Sequence, residues 1–446
     1  MAPARGPHTP TAPDRLPLLG HALALKRHPL DFLQSVRRLG DVVRIYLGPR
    51  PAYVVNAPDL VRQVLVTEAR KFDKGAFFDK VRAIVGNGLV SSNGAFHMRQ
   101  RRLMQPAFHR QQIAGYARIM GDFLAERAAA WRPGQELSVH EEMHEIALTL
   151  IGKTLFSSEL GEEAVAEVKR SIPIVRDGVT RRTLSPVEFL ERLPTPANRR
   201  FEGAVGRIRQ VIDEVIEAYR ADGTDRRDLL SMLLFSQDAD TGEAMTDEQV
   251  SDEVVTIMLA GSETTANTMA WTLYRLGRHP AIADRVAEEA TAVLNGRPAT
   301  FEDLDRLDYA GRVLSEVVRL YPLWLVMRRS VASVTVGPYE LPPGTELILS
   351  PLAMHRDPAL FAEPLRFDPD RWTPERAATI PRHAFIPFGS GNRQCIGDGF
   401  GWTEALIALV TIASRWRLEP VPGRAVTEAV AATVYPSQLP MIALPR

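Results

Sequence analysis

The hydrophobic positions change period along the chain in a way that orders its elements. "HPLDFLQSVRRLG" has the spacing of a short amphipathic helix, and "DVVRIYLGPRPAYVVN" has two β-rich runs around Gly48-Pro49-Arg50 that read as a hairpin. From about Ala57 the helical period dominates, with segments expected near 57–69, 98–130, 138–156, 161–175, 198–221 and 226–236. Strand signals return in "SVTVGPYELPPGTELILS" and near the C-terminus. The longest helix is expected to open at a capping box of Thr246 and Gln249 and to run to about Arg278. Val250, Val254, Val255, Met258, Leu259, Met269, Trp271 and Leu273 lie on several of its faces, so it should cross the interior.

Many helices with a few small sheets predict a mainly α fold of α+β type, and the lack of alternating βα units argues against a Rossmann arrangement. No linker, charge block or repeat marks a boundary, so residues 15–446 are expected to form a single domain, with residues 1–14 disordered.

Composition narrows the function classes. With 45% hydrophobic and 24% charged residues the chain is globular, and 54 basic residues balanced by 54 acidic ones give no bulk attraction to nucleic acid. The N-terminal apolar patch is far shorter than the roughly 18 residues of a membrane span, which predicts a cytoplasmic protein. A single cysteine excludes an intramolecular disulfide framework.

That cysteine, Cys395, sits in "FGSGNRQCIG". A lone cysteine is most often a small buried apolar residue. Here Gly389, Gly391 and Gly397 permit close backbone approach, and the apolar run after Gly397 reads as a buried helix whose N-terminal dipole would favour the thiolate. A thiolate serves as nucleophile or as metal ligand. His355 and His383 fall in no recognisable pairing motif with it, whereas a haem needs one axial thiolate, an apolar slot and cations for its propionates, all of which this chain can supply.

A second irregularity lies within the long helix, in "AGSETT". Gly261 costs about 1 kcal/mol there relative to alanine, and Glu263 brings a charge into an apolar run. The segment is either functional or a solvent-facing polar turn.

"FGSGNRQCIG" resembles the Phe-x-x-Gly-x-Arg-x-Cys-x-Gly pattern of the cytochrome P450 family, haem-thiolate monooxygenases, at Phe388, Gly391, Arg393, Cys395 and Gly397. "AGSETT" resembles that family's acid-alcohol motif, "EVVR" its Glu-x-x-Arg, and "FDPDRW" the segment that brings Arg371 to Glu316 and Arg319. The resemblance spans "PLLG" at Pro17 to "PSQLP" near the end. It implies haem b with iron bound axially by Cys395, propionates held by His97, Arg101, Arg328 and Arg393, and proton handling by Glu263 and Thr264. Arg328 is preferred to Arg329 on its spacing to Gly337.

The resemblance also implies dioxygen as co-substrate and, since the chain has no room for a reductase, electrons from NAD(P)H through a separate ferredoxin reductase and ferredoxin. Arg99, Arg102, His109 and Arg110 are candidates for a cationic ferredoxin patch. Phe77, Phe78, Val85, Leu259, Trp324 to Val326 and Leu439 are expected to line an apolar pocket suited to a hydrophobic molecule such as a terpene. "LPTPANRRF", "FDKG" and "QPAFHR" are similar to segments of bacterial members that oxidise cyclic sesquiterpenes in secondary metabolism, with a fatty acid or macrolide as the alternative. Rival readings are a haem-binding sensor or electron carrier, which would not need Glu263 and Thr264, and a cysteine hydrolase, which would need a base against Cys395.

Overall fold

A computed structural model describes residues 9–156, 159–183, 193–238, 241–431 and 433–446. The helix Asp247–Arg278 runs through the centre and opens on the expected capping box: Thr246 Oγ1 accepts from the Gln249 N–H at 3.2 Å, and Gln249 Oε1 accepts from the Thr246 N–H at 3.1 Å. Its apolar residues are buried along most of its length, as a helix with no polar face must be. Around it pack Val139–Leu155, Pro196–Asp222, Asp308–Leu320 and Asp398–Ala413.

Several expected helices end differently in the structure. The segment 98–130 divides into Gly94–Met104, a tight turn Gln105–Phe108, and Arg110–Ala129, because Pro106 lacks the N–H that a continuous helix would use. The segment 57–69 is Pro58–Arg62 followed by a π-helical turn Gln63–Thr67, and 161–175 extends to Glu159–Thr183. Helices Ala76–Val85 and Pro280–Leu294 add to those expected.

The hairpin is present, with Val42–Leu47 antiparallel to Arg50–Val55. It is one side of a five-stranded sheet that continues through Glu346–Leu349 (parallel), Val326–Ser330 and Phe72–Lys74 (both antiparallel). A three-stranded sheet joins Gln135–Ser138, Pro440–Pro445 and Trp416–Pro420. The expected disorder of residues 1–14 does not hold for its last part. Pro10 O and Ala12 N bond to Arg44 at 2.7 and 2.9 Å and Ala12 is buried, while residues 1–8 lie outside the described residues. Among the described residues no helix is long and apolar enough to cross a membrane.

Candidate functional site

The cysteine loop is shaped by its glycines. Gly389 and Gly391 have φ of +72° and +75°, and a Cβ on Gly391 would collide with the Leu65 carbonyl. The Cys395 N–H closes the loop on Phe388 O at 3.0 Å, and the helix Asp398–Ala413 starts immediately after it. The sulfur is accessible, yet the protein packed around it withdraws water. That desolvation pushes the thiol up to about 11 against the pull of a hydrogen bond from the Gly397 backbone. The expected help from the helix dipole is therefore outweighed. A thiol of this kind is neutral at pH 7, which disfavours a free nucleophile, and a bound metal cation is what would hold it as thiolate.

Four expected cation-site residues come together from three parts of the chain. His97, in Gly94–Met104, is buried; its Nδ1 lies 3.1 Å from Ser92 Oγ, and its Nε2 has no partner among the described residues. Arg101, one turn on, donates to Gln394 O in the cysteine loop at 2.7 Å. Arg393 donates to Asn93 Oδ1 at 2.9 Å and Asp73 Oδ1 at 3.3 Å. Arg328 is buried and donates to Met327 O at 2.8 Å, with no carboxylate partner among the described residues. Its strand neighbour Arg329 faces Glu346 and Asp79 instead, at 2.5 and 2.9 Å, so alternation along the strand separates the two arginines.

A fifth group, Lys74, was not read from the sequence. It pairs with Arg328 across the sheet and is buried beside Arg101, Arg328 and Arg393. Its only sequence signal is its place in "FDKG". The cluster is short of negative charge. Burial, then Arg393, lowers Arg328 to about 9, and burial, then the neighbouring cations, lowers His97 to about 3. Such a set of donors, with an orphaned imidazole nitrogen among them, suits a ligand that brings two carboxylates, as a haem does.

Above the helix that follows the cysteine, the "AGSETT" segment stays helical and half-buried, so it is not a solvent-facing turn. Gly261 is a packing glycine, since a Cβ there would meet Ile151 at 2.8 Å. Thr265 Oγ1 lies 3.3 Å from where a Cβ of Gly401 would be, which brings this segment against the first turn after the cysteine loop. Thr264 Oγ1 donates to Ala260 O at 2.8 Å, and Ser262 and Thr268 bond back one turn in the same way, a pattern that loosens and bends helices. Burial raises the Glu263 carboxyl, and Arg176 opposes that shift.

Behind the loop, Glu316 and Arg319 are fully buried in a bidentate pair at 2.7 and 2.8 Å. Arg371 Nε, Trp372 Nε1 and the Asp368 N–H also donate to Glu316, at 3.3, 3.0 and 3.2 Å, and Arg319 donates to the carbonyls of His355 and Pro364. His355 Nε2 accepts from the Ile386 N–H at 3.0 Å, and Ile386 O in turn accepts from Gly389. The network thus braces the strand of chain that enters the loop.

One expectation needs correction. The cations of the proposed surface patch face acids: Arg99 to Glu243, Arg102 to Asp238 and Arg110 to Asp305, at 3.4, 3.0 and 3.3 Å, which offsets most of the patch charge. Of the expected pocket residues, Phe77 and Trp324 line a cavity of about 430 Å³, with Leu25, Val179 and Val430 on its apolar part and Lys26, Arg27, Asp31 and Glu428 as charged lining. Val326 and Leu439 are buried, as Trp324 is, and Leu439 O accepts from the Val139 N–H.

A sequence model described as Cytochrome P450 matches residues 10–440. Over 445 residues the chain is 45% identical to a cyclooctat-9-en-7-ol 5-monooxygenase of Streptomyces melanosporofaciens, covering 100% of this chain and 97% of that one. It is 41% identical over 427 residues to a pentalenene oxygenase of Streptomyces avermitilis, covering 95% and 94%. The crystal structure of the cytochrome P450DA heme domain superposes with a TM-score of 0.87 at 27% identity, covering 98% of each chain. The chain belongs to the cytochrome P450 family, and is a haem-thiolate monooxygenase whose one cysteine, Cys395, is the ligand to iron.

Proposed function

We propose that this monooxygenase inserts one oxygen atom of dioxygen into a C–H bond of a terpene, in secondary metabolism. The observation that carries the substrate class is the likeness, over nearly the full chain, to a cyclooctat-9-en-7-ol monooxygenase and a pentalenene oxygenase. The cavity adds little to this, because Lys26, Arg27, His28, Asp31 and Glu428 line it beside Leu25, Phe77, Val179, Trp324 and Val430.

The bound haem supplies the activation of dioxygen. His97, Arg101, Arg328 and Arg393 hold its two propionates, by charge and by donors that suit carboxylates. Burial favours the neutral form of Glu263, against the pull of Arg176, and Thr264 Oγ1, one residue on, would relay protons into the site. Electrons come from NAD(P)H through a ferredoxin reductase and a ferredoxin, and the enzyme works in the cytoplasm. With the arginines of the candidate patch offset by acids, docking of the ferredoxin should depend on salt only weakly.

The test is turnover by the purified enzyme with a ferredoxin system against cyclic sesquiterpenes and diterpenes, a medium-chain fatty acid and a macrolide lactone. Hydroxylated terpene is the expected product. Oxidation of the fatty acid or macrolide alone would overturn the substrate class. In Thr264→Ala, product per electron pair should fall about tenfold or more while oxygen consumption continues, and retained coupling would sink the role given to Thr264.

A further inference from the structure

Lys74 stands between the cation cluster and a loop. Its backbone N–H donates to Asn93 Oδ1 at 2.9 Å, the same oxygen that takes Arg393 Nη1. Its ammonium donates to Leu89 O at 2.5 Å and to Val90 O at 2.6 Å. An ammonium has three donors, so one remains.

The loop that accepts those two bonds, residues 86–92, is fastened to the central helix on its other side. The Asn87 N–H donates to Asp252 Oδ2 at 2.6 Å and the Leu89 N–H to Glu253 Oε2 at 2.8 Å. Gly86 and Gly88 approach Asp252 and Thr256 too closely to carry a Cβ. Arg209, from Pro196–Asp222, donates to Asp252 Oδ1 and to Ile84 O, both at 2.8 Å. Of all these fastenings, those from Lys74 depend most directly on the charge of the cation cluster.

That dependence has a physical basis. Burial disfavours an ammonium at this position, and Arg328, Arg393 and Arg101 repel it further. Glu253 offers little compensation, because burial pushes its carboxyl up to about 8. A dianion placed among the cations removes their repulsion and attracts the ammonium, and a charged donor bonds about twice as strongly as a neutral one.

The geometry points to a coupling in which the two carboxylates of the haem, seated among Arg101, Arg328 and Arg393, keep Lys74 charged and so fasten Leu89 and Val90. Cofactor binding then sets the order of the loop between the Phe77 helix, Ala76–Val85, and the helix of His97 and Arg101, Gly94–Met104. The coupling rests on the haem reading of this site and adds Lys74 to it as a positioning residue.

Amide hydrogen exchange over residues 84–93 tests it in three forms of the wild-type protein: haem-free, haem-loaded, and reconstituted with haem dimethyl ester, whose propionates carry no charge. Haem should slow exchange about tenfold or more, and the diester should bind with little slowing. Lys74→Met should exchange fast even when haem-loaded, and Lys74→Arg should restore the slow exchange. Equal protection by the diester, or haem-dependent protection kept in Lys74→Met, would overturn the coupling while leaving the haem site intact. Absence of the red-shifted band of thiolate-ligated haem, in reduced, carbon monoxide-treated wild-type protein, would remove the site reading and the coupling together.

Discussion

Two charged clusters lie behind and beside the cysteine loop, and they are built on opposite principles. Around Glu316, two guanidiniums and an indole N–H converge on one carboxylate, and Arg319 and Arg371 spend their remaining donors on backbone carbonyls. Around Arg328 and His97, buried cations gather with little opposing charge and an unpartnered ring nitrogen. The first cluster is complete within the chain and holds structure. The second is complete only with something added, and that incompleteness marks a binding site more clearly than burial or composition does.

The sharpest way to break this comparison is to remove the centre of the balanced cluster. Glu316→Ala leaves Arg319 and Arg371 buried without their carboxylate, at a cost of about 3–5 kcal/mol, and urea denaturation should show little folded, haem-loaded protein. Arg328→Gln should act with the other sign on the haem-free protein, which loses an uncompensated buried charge and should be no less stable than wild type. The same variant should release haem about tenfold faster to an acceptor globin, because it lacks a charge-assisted hydrogen bond. If haem-free Arg328→Gln proved as unstable as Glu316→Ala, the two clusters would not differ in kind.

An effect confined to acid pH concerns His355, which joins the balanced cluster to the loop. Burial, aided by Arg319, holds it near 3, against 6.5 for the free side chain. The unfolded chain therefore binds a proton between pH 6.5 and 3 that the folded chain excludes, so stability falls as pH drops through that window, by about 1.4 kcal/mol per pH unit for one proton. His355→Gln should make the acid limb of a stability profile shallower by up to one proton. An unchanged slope would place the acid sensitivity elsewhere, for instance at His140, held near 4 mainly by burial.

Local signals carried the elements that depend on neighbours in sequence. The capping box at Thr246, the hairpin at Gly48 and the apolar faces of the central helix are of this kind, and each matches the structure. Pro106 carried a signal for the break between Gly94–Met104 and Arg110–Ala129, but a long helical period hides one proline. The Lys74 part of the cation cluster was not legible, because it depends on pairing Phe72–Lys74 with Val326–Ser330, and register between distant strands leaves no trace in either run. Likewise Asp252 and Glu253 look like ordinary second-turn acids of the central helix, and only the folded chain shows them taking the N–H groups of Asn87 and Leu89. The thiolate ligand Cys395 was legible from its glycines and the helix that follows, whereas the desolvation that raises the metal-free thiol depends on packing that no run of residues shows.

The five-stranded sheet has a further consequence for how the protein is made. Its first two strands and its short last one leave the ribosome early, whereas the two that lie between them in the sheet come only after the central helix. Asp73 and Arg393, which meet across the cation cluster, are 320 residues apart in the chain. Loop closure over such a span comes late and is slow. During synthesis the early strands must wait with open edges until the later strands and Arg393 have followed.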